Sequence, residues 1–243
     1  MRVVMQQRVA HLRREIGHQL SDIRHTWTQD ARARFWVGCA VTAGFGVVAL
    51  AIAVDILRYF DLHHYRARFL SLTTDRSLPE LVMDGLVLTA AALTAGLFGK
   101  TGLRSFLFVA VLLVLVALDD FFSFHETLGS FLVERLSIPD MGSLKGQALG
   151  ELVFLAAFAL VCVPFLIWTA WGMQPANLAV LVLYGSILAF LAAFSGGVDV
   201  LHSLAQSSFM DRLMGWIEES GEIMAITVLT SVAILQAHGS LAA

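Results

Sequence analysis

The sequence predicts an all-α fold: a six-span transmembrane helix bundle preceded by an amphipathic helix at the membrane surface. Three observations predict it. Of the 243 residues, 58% are hydrophobic and only 14% charged, against about 45–50% apolar and about 25% charged in soluble domains. Six apolar stretches reach or approach the ~20 residues that a bilayer-crossing helix needs. The first 33 residues carry a single apolar stripe at helical spacing. A soluble domain of this length has no interior large enough for so much apolar surface, so the excess faces lipid. Four Pro, 19 Gly and two Cys do not fit disorder, collagen or a disulfide scaffold. A formal net charge of −3 lacks the positive surplus of a nucleic-acid binder.

Residues 1–33 form the first unit. Met5, Val9, Leu12, Ile16, Leu20, Ile23 and Trp27 are spaced 4, 3, 4, 4, 3 and 4, an 11-residue period of about 3.67 residues per turn. The other positions are polar and rich in Arg. An amphipathic helix lying on the cytoplasmic leaflet fits this pattern. The alternative is a contact with a partner helix or a second copy of the chain, although two repeats fall short of a stable coiled coil.

Residues 34–243 form the second unit, the six-helix transmembrane domain. Its spans are Phe35–Leu57, Leu81–Gly99, Phe106–Phe124, Glu151–Trp171, about Leu178 to Leu204, and about Trp216 to Gln236. Trp36, Trp168, Trp171 and Trp216 fall at span ends, the level that amphipathic rings prefer. Pro164 should kink the fourth span. The run Ala90–Ala95 and Gly44-x-Gly46 point to close helix packing, and Met210, Met214 and Met224 read as packing residues. Cys39 and Cys162 lie within spans and suggest no disulfide. The first apolar run starts too late, near residue 35, for a cleavable signal peptide.

Six spans put both termini on one side. That side holds nine Lys and Arg against seven on the other, and seven of the nine precede the first span, so the termini read as cytoplasmic.

Two spans are too short on apolar residues alone. Phe106–Leu118 gives 13 uncharged residues before Asp119-Asp120, and Ile223–Gln236 gives 14 after Glu222. The acidic turns must complete both crossings, which sets carboxyls at or below the headgroup boundary, where ionisable groups are costly and usually functional. Chain direction alternates, so the end of an odd span and the start of an even one share a face. Asp119, Asp120, His125 and Glu126, then Glu151, then Asp199 and His202, then Glu218, Glu219 and Glu222 all fall at the non-terminal face, with Asp55, Glu80 and Asp84. On a continuous helix Asp119, Ser123 and Glu126 share a stripe and His125 points away from it. Ser195, Asp199, His202 and Gln206 form a second stripe.

Eight of these carboxyls (Asp119, Asp120, Glu126, Glu151, Asp199, Glu218, Glu219, Glu222) belong to four spans whose connecting loops hold only Arg135, Lys145 and Arg212. Like charges crowded in a low dielectric cannot all ionise. Shared protons or a cation must neutralise them. A divalent metal answers this economically, because bundle cores hold di-iron and di-manganese sites with carboxylates and an acid-x-x-His pair on facing helices. Asp199-x-x-His202 fits that pair and Glu219-x-x-Glu222 is its carboxylate counterpart. The expected ligands or their supports are Asp119, Glu126, Glu151, Asp199, His202, Glu219 and Glu222, with Asp120, His125 and Glu218 as further members; Zn, Fe or Mn would suit them. The bland alternative is that these residues are interfacial polar groups facing water or headgroups. His63-His64 reads as a solvated face, with no third ligand at helical spacing.

The run Leu118-Asp-Asp-Phe-Phe-Ser-Phe-His-Glu126, followed by Glu151 and by Trp216-Ile-Glu-Glu-Ser-Gly-Glu222, resembles a pattern in uncharacterised bacterial multi-pass membrane proteins. Those carry a Leu-Asp-Asp-x-Phe-x-x-His-Glu run and a later acidic pair opening the last span. The resemblance covers roughly residues 104–236 and implies a bacterial inner-membrane protein with a polar site at Asp119, Asp120, His125, Glu126 and Glu218/Glu219. It implies no activity. A looser architectural likeness is to alkaline ceramidase-like membrane hydrolases, seven-helix proteins with a zinc held by His and Asp. Their late His-x-x-x-His pair is not present here.

The sequence therefore suggests a metal-binding membrane protein with the bilayer, and a lipid or amphipathic substrate, as its surroundings. A metal-bound water would serve hydrolysis, with a spare carboxyl as general base; a dinuclear iron site doing oxidation fits the same ligands. The rivals are a cation or proton transporter, and a non-catalytic assembly subunit docking through residues 1–33, in either case with a homo-oligomer or partner helix open.

Overall fold

The computed structural model describes residues 2–60, 68–72, 74, 76–137, 139, 146–171, 174–198, 201 and 208–240. In chain order the helices are α1 (Arg2–Gln29), α2 (Ala31–Tyr59), α3 (Leu78–Thr101), α4 (Arg104–Phe122), α5 (Phe124–Leu136), α6 (Gly146–Ala170), α7 (Pro175–Ala192) and α8 (Ser208–Gly239). A 3-10 turn at Arg68–Leu70 precedes α3, and a π-helical turn at Ala193–Val198 continues α7. No strand occurs among the described residues. The six candidate spans are Ala31–Tyr59, Leu78–Thr101, Arg104–Phe122, Leu149–Ala170, Pro175–Val198 and Arg212–Gly239, so all six expected crossings are present.

The last span, in α8, sits at the centre, with 61% of it buried, and packs on α2 and α3; the α6 span is 6% buried and lies at the edge. Small residues permit the central contacts. Ala90, Ala91 and Thr94 of α3 are buried. Gly44 of α2 meets Thr227 of α8 so closely that a Cβ there would collide with the threonine hydroxyl and stand 3.2 Å from its Cβ. Gly46 has open space around it, so only the first glycine of that pair makes a contact. Pro164 lies within α6 without ending it. Met210 and Met224 are exposed on α8 rather than packed in its interior.

The amphipathic segment is one helix, and it ends at Asp30 rather than residue 33. Asp30 Oδ1 accepts from the backbone N–H of Arg32 (2.8 Å) and Ala33 (3.1 Å), capping α2. Arg34 closes the end of α1 by donating to the carbonyls of Trp27 and Thr28. α1 packs on α7 and α8 of its own chain. Gln236 Nε2 donates to Gln19 Oε1 (2.7 Å), Tyr184 donates its hydroxyl to Gln236 Oε1 (2.8 Å), and His238 Nδ1 lies 2.9 Å from Asp30 Oδ2. Val9, Leu20 and Trp27 of the stripe stay exposed.

At the opposite end, buried Asp55 of α2 ties three segments together. It accepts from Ser71 Oγ (3.0 Å), the Leu72 N–H (3.3 Å) and Trp216 Nε1 (3.3 Å), with Arg58 at 3.5 Å. Trp216 thus turns inward to a buried carboxylate; Trp36, Trp168 and Trp171 are exposed as span-end rings should be.

Two outcomes check this packing. Gly44→Ala should lower stability by about 1–3 kcal/mol through overpacking, with Thr227→Ala in the same chain restoring part of it; thermal unfolding in detergent measures both. Asp55→Ala, which orphans buried donors, should cost about 3 kcal/mol or more, and Asp55→Asn distinctly less.

Candidate functional site

The acids come from the ends of five elements. Glu80 and Asp84 stand in the first turns of α3, behind the Ser77 cap. Asp119 and Asp120 lie in the last turn of α4. His125 and Glu126 open α5, Glu151 lies near the start of α6, and Glu218, Glu219 and Glu222 are in the first half of α8. All ten line one cavity of about 260 Å³ at the end of the bundle opposite Asp30 and Gly239. Apolar side chains complete the lining: Met83, Val87, Val116, Leu152, Leu155, Leu191 and Ile226. Among the described lining residues His125 is the one basic side chain, with no lysine or arginine.

The third span does not run straight through its acids. Ser123 adopts a left-handed conformation (φ 48°, ψ 45°), ending α4 and starting α5. The expected single stripe of Asp119, Ser123 and Glu126 is therefore broken, and His125 does not point away. The turn folds it back, so that Asp119 Oδ1 accepts the His125 backbone N–H (2.9 Å) and Asp119 Oδ2 meets the ring Nδ1 (3.2 Å). Asp119 acts as the side-chain cap of α5.

Two glycine contacts hold the flanking walls. Gly129 of α5 and Gly150 of α6 touch backbone to backbone, and a Cβ on Gly129 would stand 3.0 Å from Glu151 N. Phe194 of the π-helical turn fills the space where a side chain at position 221 would go. That turn brings Ser195 and Gly196 into the cavity; π-bulges are frequent at functional sites.

Inside the cavity, the carboxyls of Asp84 on α3 and Asp120 on α4 lie near enough to interact. Asp84 Oδ1, Asp120 Oδ2 and Ser220 Oγ are buried and find no hydrogen-bond partner among the described residues. Glu80 accepts the Arg76 N–H. Among the described residues no three His, Cys, Asp or Glu side chains already converge tightly enough to hold a metal ion.

Of the expected site residues, Asp119, Asp120, His125, Glu126, Glu151, Glu218, Glu219 and Glu222 share the cavity. Asp199 and His202 lie outside the described residues, as do Gln206 and His63-His64. Glu80 and Asp84 belong to the cavity although the expected ligand set omitted them. Their i, i+4 spacing at the start of the second span was the signal, since it sets both carboxyls on one face.

Fold and site together define a polytopic helical membrane protein with an acid-lined cavity at one end. A domain of unknown function, DUF8692, matches residues 3–237, and the chain belongs to that family. No curated protein and no solved structure matches it.

The hydrogen bond that the His125 ring donates to Asp119, helped by the nearby Asp119, Glu126 and Glu151 charges and opposed by burial, raises the His125 pKa from 6.5 to about 9. A group more basic in the fold than in the unfolded chain stabilises the fold fully below its unfolded value and ceases to as pH climbs past its folded one. Wild type should therefore lose thermal stability relative to His125→Gln as pH rises from about 6.5 to about 9, and the two should run parallel below that range. Unfolding midpoints across this pH series test it.

Proposed function

We propose that the cavity binds a divalent cation and that this ion is the working part of a membrane site acting on a lipid or amphipathic substrate. One observation carries the reading: Asp84, Asp120 and Glu219 crowd into a cavity whose described lining contains no lysine or arginine. Carboxyls so placed need a positive partner. Glu219, Glu222 and Asp120 would supply oxygens, Glu126 and Glu151 would stand at the other wall, and water or side-chain movement on binding would complete the coordination. Asp199 and His202 join this ligand set on their acid-x-x-His spacing alone, and Zn, Fe or Mn suits the donors. With the termini cytoplasmic in a bacterial inner membrane, the site opens on the far side of the bilayer.

The nearness of Asp84 and Asp120 favours a second reading, because two carboxyls crowded together in a low dielectric cannot both ionise and one keeps a proton. Protons would then neutralise the site, as in a proton or cation carrier.

Elemental analysis of purified protein, before and after incubation with Mn²⁺ or Zn²⁺, separates the two. Wild type should hold about one ion per chain, and Glu219→Gln/Glu222→Gln should bind it at least about tenfold more weakly. A wild-type chain that takes up no divalent ion would overturn the metal reading, and proton uptake on acidification, lost in Asp120→Asn, would establish the other.

A further inference from the structure

The cavity lining mixes acidic with apolar side chains, Leu152 and Leu155 of α6 and Leu191 of α7 among the latter. The Glu219 carboxyl is half-buried in the lining, and none of the described groups hydrogen-bonds to it. Together with buried Asp84 Oδ1 and Asp120 Oδ2, it leaves unmet demand for a hydrogen-bond donor or a positive charge inside the cavity. At ~30 Å³ per water, the 260 Å³ of space takes a head group and a few carbons, not a whole lipid.

α6 forms the loosely packed side of the cavity. α6 leans on α5 and hardly touches α7, and almost all of its span is open to lipid. Between α6 and the π-helical turn the Leu155 side chain reaches Gly196, whose Cβ, if it had one, would stand 3.8 Å from Leu155 Cδ1. A single flexible leucine opposite a residue without a side chain is a slender closure.

We propose that the organic ligand is a single-chain amphiphile with an amine head group, taken sideways from the bilayer through the seam between α6 and the π-helical turn. The ammonium meets Asp84, whose buried Oδ1 has no partner among the described residues and which is not one of the ion's ligands, the first carbons lie on Leu155 and Leu191, and the rest of the chain stays in lipid. An anionic head group would meet like charge at the same carboxyl. This rests on the cavity being selective for cations and adds which organic cation it takes and by what route.

Wild type in zwitterionic nanodiscs is photolabelled with a dodecylamine carrying a diazirine, and in parallel with the dodecanoic acid of the same design; peptides are mapped by mass spectrometry, and Mn²⁺ binding is measured on the same preparation. The amine should label the segments around Leu155 and Leu191, excess dodecylamine should compete, and the acid should label them at least about tenfold less. Leu155→Trp should close the seam and cut the labelling; Leu155→Ala, which removes the closure and needs no extra space, should raise it. Equal labelling by amine and acid, or labelling unchanged in both Leu155 variants, would overturn the proposal. Mn²⁺ binding without amine labelling sinks this proposal alone; failure of both sinks the cation reading with it.

Discussion

Carboxyl groups held at the edge of a bilayer set the terms for the rest of this protein. A carboxylate at the middle of a spanning helix costs about 2.5–3.5 kcal/mol on insertion scales, and here five elements bring nine of them, with one histidine, to one cavity. The local geometry around the cavity keeps them together. Ser123 adopts a left-handed backbone that breaks α5 from α4, the π-helical turn seats Phe194 against Gly221, and Asp55 ties the Leu72 segment and Trp216 to α2. A chain selected only for stability has simpler ways to end these helices than aiming their acids at a common space.

The two ends of the bundle differ in kind. At the end that carries the termini, buried polar groups are matched: Ser105 with Asn177, Tyr184 with Gln236, Gln236 with Gln19. In the interior, Thr94, Thr227 and Thr230 close their hydroxyls onto carbonyls of their own helices. At the acidic end Asp84 Oδ1, Asp120 Oδ2 and Ser220 Oγ go without partners among the described residues. Most buried polar groups in native proteins are satisfied, and exceptions gather where function overrides local stability. That asymmetry singles out the acidic end independently of any count of charges.

The bundle was legible from sequence because lipid exposure writes itself into composition and run length, and the alternation of spans followed from that. The shared face of Asp119, Glu151 and Glu219 followed in turn, and the structure shows that all three line one cavity. The detail was not legible. Helical periodicity assumed continuity through Ser123, so it sent His125 the wrong way; a left-handed serine has no sequence signature comparable to glycine. Trp216 looked like an interfacial ring, because nothing in the sequence pairs it with Asp55, 161 residues away. Glu80 and Asp84 fall at the right face, but two acids at i, i+4 do not by themselves mark a ligand pair as acid-x-x-His does. The stripe on α1 predicted a helix correctly, and only the structure could show that one edge of it docks on α7 and α8 while Val9, Leu20 and Trp27 stay outside.

The central claim is that the clustered carboxyls have a cation as their natural complement. Infrared difference spectroscopy of the protein in nanodiscs reads those carboxyls directly, since protonated and ionised forms absorb at separate frequencies. The account predicts that adding a divalent ion at neutral pH removes a protonated-carboxyl band and shifts carboxylate bands in wild type, with neither change in Glu219→Gln/Glu222→Gln. Spectra that stay the same in wild type on cation addition would contradict it.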